Sequence, residues 1–137
     1  MDPNRDFPFA SNANACFRTI TARAINEVFR RYLIVSGITF HGGMQAIAYE
    51  WGSPNHQSHG SRSPDDSSQM DMSFVMRDFA GAYPQYPYPV DKMNPLVYPV
   101  SGGMEDWAYA GSWDTASSHT CAADGYPTGQ LPAGNAT

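Results

Sequence analysis

Leu33-Ile34-Val35-Ser36-Gly37-Ile38-Thr39-Phe40-His41-Gly42-Gly43 is the stretch whose reading decides the fold. Its first eight residues form a short apolar run rich in β-branched side chains, which predicts a buried strand. The run ends in a histidine and two glycines. Open α/β sheets place their chemistry beyond the carboxyl ends of their strands. Just upstream, Ile25, Val28, Phe29 and Tyr32 recur at helical spacing, while Arg23, Asn26, Glu27, Arg30 and Arg31 take the other face. This predicts an amphipathic helix over residues 18–32, capped by Thr19 or Thr21. A helix that runs directly into a strand is one unit of a layered α/β domain, and α/β is the expected fold class.

Outward from this unit, residues 1–16 read as irregular, because Pro3, Pro8 and a Ser-Asn-Ala-Asn run oppose a helix. Ala46-Ile47-Ala48-Tyr49 reads as a second short strand, ending near Trp51-Gly52. Residues 52–64 are polar and read as a surface loop. Pro64-Asp65-Asp66 opens a second helix, whose Met72, Val75, Met76 and Phe79 stripe is expected to face the core. Residues 81–95 read as an extended connection. Leu96-Val97-Tyr98 leads into a glycine turn, and Glu105-Asp106-Trp107-Ala108-Tyr109 starts a further helix. Residues 114–137 carry almost no large apolar groups, so an irregular, poorly packed tail is expected there. Eleven prolines and twelve glycines, weighted to the second half, make that half rich in loops.

A chain of 137 residues has room for one ordinary domain. It is 42% hydrophobic and 15% charged, which excludes a disordered tail. Net charge is −5 with eight Lys plus Arg, so no basic stripe is available for nucleic acid. No apolar stretch is long enough to span a bilayer, and no membrane partner is expected. Asp2, Asn4, Arg5 and Asp6 interrupt any apolar leader at the start. Cys16 and Cys121 are the two cysteines; a disulfide and two separate thiols are both open.

Several residues are chemically suggestive. His41 is a metal-ligand candidate by position, although a lone histidine beside an apolar strand is more often a hydrogen-bonded core residue. His56-x-x-His59 lies among Ser, Asn and Gly and reads as two solvated histidines; His119 has no partner in sequence. Asn4-Arg5 joins an amide to a guanidinium, and arginine grips a carboxylate through two parallel hydrogen bonds. The pair reads equally as a surface salt-bridge element. Ser101-Gly102-Gly103 lets a loop approach a ligand closely, and Tyr98 just before it is placed to swing its phenol. A tight turn with an aromatic beside it is the plainer reading.

Taken together these segments resemble a known family. Asp2-Pro3-Asn4-Arg5-Asp6-Phe7-Pro8 resembles the Asp-x-Asn-Arg-Asn-Phe-Pro segment of the zinc metallocarboxypeptidases of the carboxypeptidase A type. Thr39 to Gly52 is similar to that family's third zinc-ligand strand, with Tyr49-Glu50-Trp51-Gly52 at the spacing of its Tyr-Pro-aromatic-Gly ending. Val97-Tyr98-Pro99-Val100-Ser101-Gly102-Gly103-Met104-Glu105-Asp106-Trp107 is similar to its mobile-tyrosine segment. The three occur in the family's order and cover residues 1–113 as a partial catalytic domain.

The resemblance implies a partial mixed β-sheet flanked by helices, from an α/β/α domain. It implies that Asn4 and Arg5 hold the terminal carboxylate of a peptide or protein, which makes the parent an exopeptidase. Tyr98 would close over the substrate and donate from its phenol as the catalytic residue of this set. His41 would ligate Zn²⁺, which in the family polarises the scissile carbonyl and activates a water. Glu105 would lie in the pocket for the C-terminal side chain and favour Lys or Arg; the alternative is a solvent-facing residue at a helix N-terminus.

The family's other two zinc ligands come from a His-x-x-Glu, and this chain contains none. The arginine that stabilises the oxyanion has no counterpart before Asn4, and no Glu follows Glu105 to serve as general base. The expectation is therefore an internal fragment whose zinc site is incomplete and which does not hydrolyse peptides alone. Competing expectations are a non-catalytic module that binds peptide C-termini, and a purely structural α/β piece.

Overall fold

A computed structural model describes residues 1–8, 15–58, 60–81, 86–114 and 121. Along the chain, a 3-10 turn at Pro3–Arg5 precedes helix α1 (Ile20–Arg31) and strand β1 (Ile47–Tyr49). A second 3-10 turn (Pro54–His56), helix α2 (Asp66–Phe79), strand β2 (Val90–Lys92), helix α3 (Met93–Leu96) and helix α4 (Met104–Ala110) follow. β1 and β2 pair in parallel, Ile47 opposite Val90 and Tyr49 opposite Lys92, with α2 against both. The chain is α/β: helices around a small parallel sheet.

α1 starts where Thr19 accepts a hydrogen bond from Ala22 N through Oγ1 at 3.2 Å. Arg30 and Arg31 occupy its last turn, where cations suit the helix dipole. Its inner face is Ala22, Asn26 and Phe29, with Ile25 partly buried beside them. The expected stripe is therefore offset: Val28 and Tyr32 are about half exposed, and Asn26, expected outside, is fully buried. Both amide atoms of Asn26 lack a partner among the described residues.

The expected strand over residues 33–40 is not formed. The segment is irregular and makes no ladder among the described residues, with Val35 91% and Phe40 93% exposed. A strand is defined by its neighbour. The described residues offer this run none, so only Ile34 packs on the core.

The α2 stripe also departs from expectation. Met72 and Val75 are more than half exposed and Phe79 is 86% exposed; the helix buries Asp66 and Ser73. A two-stranded sheet of three residues per strand is too small to cover a helix of 14 residues. Residues 81–95, expected as a plain connection, include β2 and most of α3.

The core is aromatic and centres on Trp107 of α4. Its ring lies 5.0 Å from Phe7, 5.5 Å from Phe17 and 5.2 Å from Phe29. Trp51 and Ala110 extend the same cluster. Buried Asp6 accepts from Thr19 N through Oδ2 at 2.5 Å, and its carbonyl accepts from Phe17 N at 2.8 Å. This ties the N-terminal segment to the start of α1. Cys16 and Cys121 form a disulfide, with Cα atoms 5.6 Å apart, which settles the pairing the sequence left open.

Because three phenylalanine rings pack on Trp107, Trp107→Ala is expected to cost about 3–5 kcal/mol in urea unfolding. Trp107→Phe should cost clearly less. It keeps an aromatic ring and removes an indole N–H that is buried without a partner among the described residues.

Candidate active site

The site begins with the Pro3–Arg5 turn. Asp2 caps it, Oδ1 accepting from Asn4 N at 2.8 Å, and Arg5 N donates to the Asp2 carbonyl at 3.2 Å. The loop at residues 101–103 lies directly on this turn. Phe7 N donates to the Gly102 carbonyl at 3.0 Å. Gly102 has φ +77°, and a Cβ there would sit 2.5 Å from the Arg5 carbonyl oxygen. Only glycine satisfies both conditions.

Asn4 is the hub. Its Oδ1 accepts from Met104 N, at the start of α4, at 2.8 Å. That bond fixes which amide atom is oxygen, so Nδ2 faces His41 Nε2 at 3.3 Å and donates to Glu105 Oε2 at 3.2 Å. An amide nitrogen only donates. His41 Nε2 must therefore accept, and its ring proton belongs on Nδ1.

Arg5 forms the other half. Its Nη1 donates to the Asn4 carbonyl at 2.6 Å and its Nη2 to the Tyr98 hydroxyl at 3.1 Å. The closest carboxylate oxygen, on Asp2, is 3.9 Å away. The guanidinium is thus oriented mainly by neutral acceptors. Tyr98 is half exposed, so its phenol is free to leave Arg5. The structure brings Asn4, Arg5, His41, Tyr98 and Glu105 into one hydrogen-bonded constellation. Beside it lies a cavity of about 210 Å³, lined by Asn4, Phe7, Ile25, Phe40, His41 and Met104.

Glu105 folds back over the start of its own helix. A Cβ on Gly103 would fall 2.0 Å from Glu105 Oε1, so the glycine makes room for the carboxylate. Oε1 is buried without a partner among the described residues.

Two carboxyls that sequence reasoning did not single out lie close by. Asp106 accepts from Gly52 N at 2.9 Å and from Ser53 N, clamping the turn after β1 to α4. Burial raises Asp106 to about 7, with its two backbone bonds opposing and the charges of Glu105 and Glu50 adding. Glu50 is likewise raised to about 7, first by burial, then by Glu105 and Asp65. A carboxylate directly after an apolar strand was the available signal for Glu50. For Asp106 the signal was its place between Glu105 and the core Trp107.

His56, expected to be solvated, is half-buried. Its ring stacks on Trp51 at 3.9 Å, and its Nε2 lies 2.5 Å from Asp114 Oδ2. The sequence places it in a polar loop, but the following turn folds that loop against Trp51. His59 and His119 lie outside the described residues.

Comparison with protein families now decides the grouping: the profile of the zinc carboxypeptidases matches residues 1–126. The chain belongs to the zinc carboxypeptidase family. No curated protein and no solved structure matches it. At the level of the family this means carboxypeptidase-type hydrolase chemistry with zinc. The described residues do not by themselves make such a centre. A zinc site takes at least three protein ligands, and His41 is a single imidazole. Among the described residues no group of three or more His, Cys, Asp or Glu is placed to hold a metal ion.

The raised carboxyls predict a pH effect. Glu50 and Asp106 hold protons in the folded chain up to about pH 7, whereas the unfolded chain releases them near 4. Between those values the folded state binds more protons, so stability falls as pH rises. This contribution is fully present below about pH 4 and lost through about pH 7. Urea midpoints are expected to drop across that window, and Glu50→Gln should flatten the drop. Equal slopes for the two proteins would remove Glu50 from the account.

Proposed function

We propose that this chain is the part of a zinc carboxypeptidase catalytic domain that grips the free C-terminus of a peptide or protein. The observation that carries the reading is the Arg5 guanidinium, aimed by the Asn4 carbonyl and the Tyr98 phenol, with no carboxylate within 3.5 Å among the described residues. A terminal carboxylate would take the outer edge of Arg5 through two parallel bonds, and Asn4 would add a donor on giving up its bond to His41 or Glu105. Requiring a chain end makes the substrate that of an exopeptidase. Binding at Nη2 would release the Tyr98 hydroxyl, which could then donate to the peptide.

Glu105 supports a preference within that class. A carboxylate bonded to Asn4 repels a second carboxylate at close range and attracts a cation. A terminal Lys or Arg side chain would provide that counter-charge, so basic C-termini are the proposed substrates. His41 would be a zinc ligand that this chain contributes. We read the chain as a fragment that binds without turnover, because it contains no His-x-x-Glu and no Glu beyond Glu105.

Two experiments test this. Calorimetric titration should show a peptide acid binding about tenfold or more tighter than its C-terminal amide, and Arg5→Ala should erase the difference. A peptide ending in Arg should bind more tightly than one ending in Phe; the reverse order would sink the role given to Glu105. Separately, the 137-residue chain incubated with zinc should release no C-terminal residue from either peptide. Zinc-dependent release would overturn the fragment reading.

A further inference from the structure

Away from the Pro3–Arg5 turn, three side chains meet in the order of a nucleophile, a base and an orienting acid. Ser61 Oγ lies 3.3 Å from His56 Nδ1, and Asp114 Oδ2 lies 2.5 Å from His56 Nε2. An ionised carboxylate only accepts, so the proton of the neutral ring belongs on Nε2. Nδ1 is then the acceptor for the Ser61 hydroxyl, the arrangement that activates an alcohol as a nucleophile. Serine triads are recognised by these roles and by geometry, not by which ring nitrogen takes which role. Each member is held through its own backbone. His56 N donates to the Ser53 carbonyl at 3.0 Å, its carbonyl accepts from Asn94 Nδ2 at 3.3 Å, and its ring stacks on Trp51 within 13° of parallel. Ser61 N donates to the Ser58 carbonyl at 2.9 Å, and its own carbonyl accepts from Lys92 Nζ at 2.9 Å. Asp114 N donates to the Ala110 carbonyl at 2.9 Å, just past the end of α4. Three segments thus converge already positioned, as catalysis by a fixed base requires.

We propose that Ser61, His56 and Asp114 form a second reactive centre, one that takes acyl groups from small activated esters. Ser61 is half-buried between exposed Gly60 and exposed Arg62, so the loop that carries it opens to solvent. Its Oγ attacks the ester carbonyl carbon while its proton passes to His56 Nδ1. The bond from that carbon to the alcohol oxygen then breaks, and the Nδ1 proton goes to the leaving alkoxide. Water attacks the acyl-serine by the same path, giving a proton to Nδ1 that returns to Ser61 Oγ as the acid departs. Asp114 is a positioning residue: it holds Nε2–H and stabilises the ring while it is charged. Lys92, bonded to the Ser61 carbonyl, places a positive charge beside the residue whose attack develops a negative one. None of these residues belongs to the constellation of Asn4, Arg5, His41, Tyr98 and Glu105, so the two sites stand or fall separately.

The test uses the full 137-residue chain with a chelator present, which keeps zinc chemistry out of the readout. A fluorophosphonate probe followed by peptide mass mapping should place a phosphonyl group on Ser61. Hydrolysis of p-nitrophenyl acetate should fall at least about tenfold in Ser61→Ala, with an unchanged far-ultraviolet spectrum. Asp114→Asn should lower the maximal rate of phosphonylation at least about tenfold and leave the half-saturating probe concentration where it was. Asp114→Glu should recover part of that loss. Mapping on the unaltered chain needs no variant, so a folding defect in any of them leaves the central result standing. No adduct, an adduct on another residue, ester hydrolysis undiminished by Ser61→Ala, or a rate indifferent to Asp114→Asn would each overturn the proposal.

Discussion

The seam between residues 2–8 and the loop at 101–104 is the constraint on which the rest depends. It consists of the Phe7 N–H on the Gly102 carbonyl, the Met104 N–H on Asn4 Oδ1, and the bare Cα of Gly102 against the Arg5 carbonyl. One side of the seam sets Phe7 against Trp107 and so builds the core. The other side sets Asn4 against Glu105 and Arg5 against Tyr98 and so builds the site. Core and site are two faces of one contact between distant parts of the chain. Its closure carries a loop entropy cost that local contacts do not. The Cys16–Cys121 disulfide, with a separation of 105 residues, acts in the same direction. Chain-entropy reasoning values a link across about 100 residues at about 4–5 kcal/mol.

Behind the seam the protein accepts an electrostatic cost. Glu50, Glu105 and Asp106 are crowded beside α4, and two of them are raised to about 7 mainly by burial. Asp106 offsets part of its cost by accepting from two successive backbone N–H groups. That clamp holds the Trp51–Ser53 turn, and with it the ring on which His56 stacks. Glu105 is satisfied less well, with one oxygen on Asn4 and the other buried without a partner among the described residues. Carboxyls perturbed by burial and by one another are commonest at functional sites.

The candidate residues were legible because their signals are local. Asn4-Arg5 in a proline turn, Tyr98 ahead of Ser-Gly-Gly, and His41 ahead of two glycines are short patterns, while their meeting depends on contacts across the chain that no local pattern shows. Helix α1 was legible for the same reason, through Thr19 and a 3.6-residue period. The failures all involve cover from elsewhere. A strand at 33–40 needs a partner strand, and the α2 stripe needs a sheet wide enough to receive it. Asn26 was placed outside by its polarity, yet the packing of Phe7, Phe17 and Phe29 turned its face inward. His56 sits in a polar loop by composition, and the stacked Trp51 ring together with the long-range approach of Asp114 buries it.

His41 shows how these two classes of feature meet. Its identity as a ligand candidate is local, but its position is not. It follows the run 33–40, and among the described residues no ladder holds its backbone. The described contact that holds its ring is the Asn4 amide at 3.3 Å. Asn4 is in turn held by Met104 N and Glu105. The imidazole is therefore placed by the Pro3–Arg5 turn rather than by its own segment. In that arrangement the Nε2 lone pair accepts from Asn4, the same amide that donates to Glu105. His41 and Glu105 are thus tied to each other through one amide group.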